Sequence, residues 1–132
     1  MRKFTNVLLI EDDPITIMVC DRIMKMTGFA EQVQSKENGQ EAIKYIQSII
    51  EDQTTFPEII FLDINMPVMN GWEFIEAYEA LGIEHKVDMY ILSSSVYEND
   101  IEKTKGYKAV KGFISKPLSM ERLTELVNAI RF

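Results

Sequence analysis

Val7-Leu8-Leu9-Ile10-Glu11-Asp12-Asp13-Pro14 passes abruptly from oil to charge, and that change decides the fold. An unbroken apolar run without alternation reads as a strand buried on both faces. Asp13 can cap a helix, and Pro14 suits its first turn, where a missing N–H costs nothing. A buried strand that feeds directly into a helix is the repeating unit of a parallel α/β sheet.

The same grammar recurs along the chain. The first helix runs to about Thr27, with Gly28 as its stop. A weaker strand lies near Ala30–Gln34, and Asn38-Gly39 ends the following loop. Ala42, Ile43, Ile46, Ile49 and Ile50 repeat at helical spacing, until Glu51–Thr55 and Pro57 close that helix. Glu58-Ile59-Ile60-Phe61-Leu62-Asp63 is another buried strand ending in an acid. Pro67 and Asn70-Gly71 lead into a helix from Trp72 to about Leu81. Val87–Leu92 is a strand, Glu98 to Lys108 a helix, and Gly112–Ser115 a short last strand. Ser119 can cap a final helix carrying Leu123, Leu126, Val127 and Ile130. The order is βα five times over, which predicts a parallel five-stranded sheet with helices on both faces and right-handed crossovers.

The chain of 132 residues, 46% hydrophobic and 27% charged, suits one soluble domain spanning 1–132. No apolar run approaches the roughly 20 residues of a membrane helix. The apolar stretch after basic Arg2 and Lys3 is too short for a signal-peptide core, so a cytoplasmic location is expected. Cys20 is the sole cysteine and cannot form an internal disulfide. A formal net charge of −7 argues against direct nucleic-acid binding and leaves protein partners open.

In open parallel sheets, ligands sit at the carboxyl ends of the strands. Those ends carry Glu11 and Asp12, then Asp63, Ser93 and Lys116. Three carboxylates crowded at 4 Å repel by about 4 kcal/mol per pair at an effective dielectric near 20. A divalent cation removes that cost, and oxygen donors without histidine or cysteine favour Mg2+. A carboxylate can also act as a nucleophile and become an aspartyl phosphate, with lysine and metal offsetting the phosphoryl charge. Ser93 can donate to a phosphoryl oxygen. Each residue alone has an ordinary use: acids after strands cap helices, and Asp13 beside Pro14 reads as such a cap. The joint pattern at the strand ends carries the argument.

Three stretches together resemble the receiver domains of response regulators, the stand-alone chemotaxis regulators among them. Asp63-Ile64-Asn65-Met66-Pro67-Val68-Met69-Asn70-Gly71 is similar to their phosphoacceptor loop. Leu8-Leu9-Ile10-Glu11-Asp12-Asp13-Pro14 resembles the first strand and acidic pocket, and Phe113-Ile114-Ser115-Lys116-Pro117 the lysine-proline turn. The resemblance implies a flavodoxin-like (βα)5 sandwich with strand order 2-1-3-4-5. It implies phosphorylation of Asp63 by a histidine kinase or histidine phosphotransfer protein. Mg2+ would be held by Asp12, Asp63, the Asn65 backbone carbonyl and, through water, Glu11. Lys116 would pair with the phosphoryl group, and the Lys116-Pro117 bond would be cis. Ser93 and Phe113 would be the switch residues, altering a face of helix four, strand five and helix five for a downstream protein target. Such a protein is a monomer or weak dimer and a switch rather than an enzyme, with only self-phosphorylation and self-dephosphorylation chemistry.

Three positions depart from the commonest pattern. Glu11 stands for aspartate, Ser93 for threonine and Phe113 for tyrosine, which leaves the strength of the switch open. His85, the only histidine, lies in a polar connection and reads as a solvent loop. Trp72 reads as an anchor for its helix. In the first helix, Val19, Cys20, Ile23 and Met24 form the expected sheet-facing side. Ile15, Met18 and Met26 lie mainly opposite, around Arg22, either as scattered surface residues or as a docking face for the phosphodonor. Two enzyme-class or carrier alternatives fit less well. A haloacid-dehalogenase-like phosphatase would place its nucleophile after the first strand, with a second acid two residues on. A flavodoxin-like carrier would need a glycine- and hydroxyl-rich phosphate cradle in the first βα loop. A receiver that only docks and no longer responds is the third alternative.

Overall fold

A computed structural model describes residues 4–53, 55–84, 87–93 and 98–129. Strands β1 (Phe4–Ile10), β2 (Ala30–Lys36), β3 (Ile59–Leu62), β4 (Asp88–Ser93) and β5 (Val110–Ser115) alternate with helices. The helices are α1 (Pro14–Met26), α2 (Gly39–Asp52), α3 (Gly71–Ala80), α4 (Glu98–Thr104) and α5 (Met120–Ala129). All strand pairs are parallel, in the order β2-β1-β3-β4-β5. The expected flavodoxin-like (βα)5 topology is the one observed.

Strand residues alternate between two cores. Val7, Leu9, Ile59, Phe61, Leu92 and Ile114 meet Cys20 and Met24 of α1 and Leu123 and Leu126 of α5. Leu8, Ile10, Ile60, Leu62, Met89 and Ile91 meet Ala42 and Ile46 of α2 and Phe74 and Ile75 of α3. Both faces of the central strands are covered, which is why their sequences carry no polar alternation. Caps frame the first two helices as the side chains dictate. Asp13 accepts from Ile15 N and from Thr16 Oγ1, and Asn38 accepts from Glu41 N.

The structure corrects several boundaries. β1 begins at Phe4 rather than Val7, because Phe4 N donates to Phe29 O at 2.7 Å and the two rings lie 5.0 Å apart. β2 continues past Gln34 to Lys36, paired with Ile10. β5 starts at Val110, ahead of Gly112, and pairs with Met89 across a register shift. α4 ends at Thr104 instead of Lys108: the backbone switches to i→i−3 bonds, with Gly106 N to Lys103 O and Tyr107 N to Thr104 O. Val19 does not face the sheet; it is 41% exposed, and Ile17 joins Cys20, Ile23 and Met24 against the core in its place. His85, the serines after Ser93 and Ile130 lie outside the described residues. Among the described residues, no helix is long and apolar enough to cross a membrane.

Candidate functional site

Strands β1, β3 and β5 are each tied to a neighbour by one further backbone bond beyond their last residue. Glu11 N donates to Lys36 O at 3.0 Å, Asp63 N to Ile10 O at 2.9 Å, and Lys116 N to Ser93 O at 2.8 Å. The ladder thereby fixes where the charged side chains leave the sheet. Glu11, Asp63 and Lys116 inherit their positions from strand register rather than from loop conformation.

Glu11, Asp12 and Asp63 each bring a carboxylate oxygen within 4.8 Å of the others. Glu11 is buried to 1% exposure and Asp63 to 6%, whereas Asp12 opens to solvent. Lys116 Nζ donates to Glu11 Oε1 and stands 3.7 Å from Asp63 Oδ2. The second Glu11 oxygen accepts from Asp13 N at 3.1 Å, and Asp63 Oδ1 accepts from Asn65 N at 3.3 Å. Desolvation, reinforced by the Glu11 hydrogen bond and charge, pushes the Asp12 carboxyl above its usual range. Burial works to lower the Lys116 ammonium, but the Glu11 hydrogen bond and the charges of Asp63 and Glu11 outweigh it and raise the group. An all-oxygen set of three carboxylates, two of them buried, fits a hard divalent cation.

The loop that follows Asp63 is held from below. Gly71 N donates to Ile64 O at 2.8 Å, and a Cβ on Gly71 would meet Asp63 O and Ile64 Cα, each at 2.7 Å. Asn70 and Glu73 form a reciprocal capping box that starts α3 at this point. Gly39 N donates to Met69 O, bracing the loop on α2. Val68 has φ 68°, a left-handed conformation costly for a β-branched residue, so the loop carries local strain. The roles of Gly71 and Gly39 escaped the sequence reading, which treated both as turn residues. The Asn-x-x-Glu spacing of the capping box was a legible signal.

The remaining expected residues are placed as follows. Ser93 is buried at the end of β4 and paired in register with Ser115. Phe113 is half-buried on β5 and packs on the core layer of α2 and α3. The Lys116–Pro117 peptide is cis. Cys20 is buried beneath a cleft of about 180 Å3 lined also by Ile15, Val19, Lys116, Pro117 and Leu118.

Comparison with known proteins identifies the family of the fold. The family model described as the response regulator receiver domain matches residues 7–128. A two-component response regulator of Oryza sativa subsp. japonica is 30% identical, over 98% of this chain and 97% of its own. A two-component response regulator from Cytophaga hutchinsonii superposes with a TM-score of 0.88 at 35% identity, covering 97% of each chain. The CheY-type fold is shared with a CheX-CheY-BeF3-Mg+2 complex from Borrelia burgdorferi, at TM-score 0.78 and 22% identity over 97% of this chain and 90% of that one. The chain belongs to the response regulator receiver domain family of two-component systems. Phosphorylation on an aspartate and Mg2+ binding at an acidic pocket are general in that family, whose receiver domains are signalling switches generally not classed as enzymes.

Proposed function

We propose that Asp63 is the phosphoacceptor of this receiver and that a histidine kinase or histidine phosphotransfer protein supplies the phosphoryl group. The observation that carries the reading is Lys116 Nζ between Glu11 and Asp63, beside three mutually close carboxylates. An Asp63 carboxylate oxygen attacks the donor's phosphorus; a P–O bond forms, the donor's P–N bond breaks, and its electron pair stays on the imidazole. Asp12, Asp63 and the Asn65 backbone carbonyl would hold Mg2+, with Glu11 acting through water because both its oxygens already accept protein hydrogens. When bound, the ion offsets charge on the carboxylates and phosphoryl oxygens. Lys116 would shift its contact from Glu11 toward the phosphoryl group, and Ser93 would donate to it.

The output is a population shift between two states of one surface. Ser93 and Phe113 would change conformation, altering the face of α4, β5 and α5 that a downstream protein reads. The exposed side of α1, with Ile15, Met18, Val19 and Met26, would dock the phosphodonor's helices. Residues 1–132 would act as one cytoplasmic unit, as a monomer or weak dimer. The test is incubation with acetyl phosphate and Mg2+ followed by intact mass. One added phosphoryl group is expected, absent after chelation and in Asp63→Asn; turnover of a generic phosphate ester without self-labelling would instead indicate a phosphatase.

A further inference from the structure

Trp72, from α3, and Tyr107, from the turn after α4, pack against the same core layer and stack on each other. Trp72 is the second residue of α3, immediately after Gly71, whose backbone leaves no room against Asp63 and Ile64. Its ring lies 6.0 Å from the Tyr107 ring at an interplanar angle of 26°. The Lys103 ammonium, from the last turn of α4, stands 4.5 Å from the Trp72 ring centre. Two further bonds come from the same side of α3. Tyr107 donates its hydroxyl to Glu76 Oε1 at 3.0 Å, and Ala109 N donates to Glu79 Oε2 at 3.0 Å. Positions 72, 76 and 79 share one helical face, so α3 grips the end of α4 and the turn that follows it.

We propose that this Trp72–Tyr107–Lys103 stack, with its Glu76 and Glu79 bonds, is a clasp that passes a change at Asp63 to α4. The proposal rests on Asp63 being the acceptor. A displacement of the Asp63 backbone reaches Gly71 directly, because the two are in van der Waals contact without an intervening side chain. Gly71 and Trp72 are consecutive, so the ring follows the helix start. The clasp is made of exposed or half-buried groups: Lys103, Glu76 and Glu79 are open to solvent, and both rings are partly covered. Such contacts are individually modest, so the clasp can be remade in two arrangements without unfolding either helix.

The test is hydrogen exchange of the 98–109 segment in the full chain, with and without beryllofluoride and Mg2+, while 19F resonances report loading. Wild type is expected to change its exchange there by about fivefold on loading, at the low end of allosteric couplings. Tyr107→Leu should load equally and lose that response; Glu76→Gln, a gentler change on an exposed residue, should reduce it in part. Trp72 is the only tryptophan, and its fluorescence should change on loading in wild type. Equal loading with an equal exchange response in Tyr107→Leu overturns the clasp. Normal wild-type loading with unchanged 98–109 exchange overturns the clasp alone, and failure of wild type to load overturns the acceptor reading with it.

Discussion

Gly71 packs so tightly beneath Asp63 that a Cβ there would lie 2.7 Å from the Asp63 carbonyl oxygen. The contact is with backbone, which cannot rotate away as a flexible side chain would. It makes the first residue of α3 part of the platform on which the loop after Asp63 rests. Gly71→Ala is therefore expected to destabilise the fold by about 1–3 kcal/mol through overpacking, despite alanine's better helix propensity. Acetyl phosphate labelling should also slow. Urea unfolding and labelling rates check both, and an unchanged pair of values would contradict the platform.

Lys116 and Glu11 form a pair in which the acid is almost wholly buried and the lysine mostly so. Removing one partner strands the other's charge, whereas removing both leaves only the longer Lys116–Asp63 contact unmet. Lys116→Met is expected to cost about 2–4 kcal/mol of stability, and Lys116→Met with Glu11→Gln distinctly less. The non-additivity is the result that matters, and denaturant midpoints of wild type, Lys116→Met, Glu11→Gln and the double variant measure it.

Burial, with the nearby Glu11 charge adding to it and Lys116 opposing it, pushes the Cys20 thiol from 9.0 up to about 11. The folded state thus holds the proton more tightly than the unfolded chain. This contribution is intact below about pH 9 and is lost as pH rises from about 9 toward about 11, reaching a few kcal/mol. Lys116, raised above 10.5, acts in the same direction at still higher pH. Cys20→Ala should flatten the alkaline fall in stability between pH 9 and 11. Native Cys20 should also resist iodoacetamide at pH 8 and react once unfolded.

Met18 and Met26 are 59% and 78% exposed on α1 and touch neither core. Replacing both with glutamine should leave stability within about 0.5 kcal/mol of wild type. Labelling by acetyl phosphate should be unchanged as well, while transfer from a phosphorylated histidine donor protein slows. Unchanged protein-to-protein transfer would return these methionines to ordinary surface residues.

What sequence reading captured and what it missed divide along physical lines. The buried strands were legible because covering both faces removes every polar residue from Val7–Ile10 and Ile59–Leu62. The residues at the strand ends were legible because parallel topology brings those ends to one rim, and Glu11, Asp12, Asp63 and Lys116 do meet there. Phe4–Asn6 was missed as strand since Thr5 and Asn6 are polar and the pairing depends on Phe29, far along the chain. Val19 was misassigned because helical periodicity specifies a face but not where the sheet ends and the cleft beside Pro117 begins. The importance of Gly71 depended on a backbone approach that local sequence does not show, whereas Gly106 was a readable stop for α4.

Borohydride trapping reports at residue level whether the carboxylate of Asp63 carries the phosphoryl group. Reduction of an aspartyl phosphate yields homoserine at the modified position, which peptide mass spectrometry locates. After treatment with acetyl phosphate and Mg2+, homoserine is expected at position 63 and at no other acid. Homoserine at Asp12 or Asp13, or none in a protein that has gained a phosphoryl group, would contradict the account.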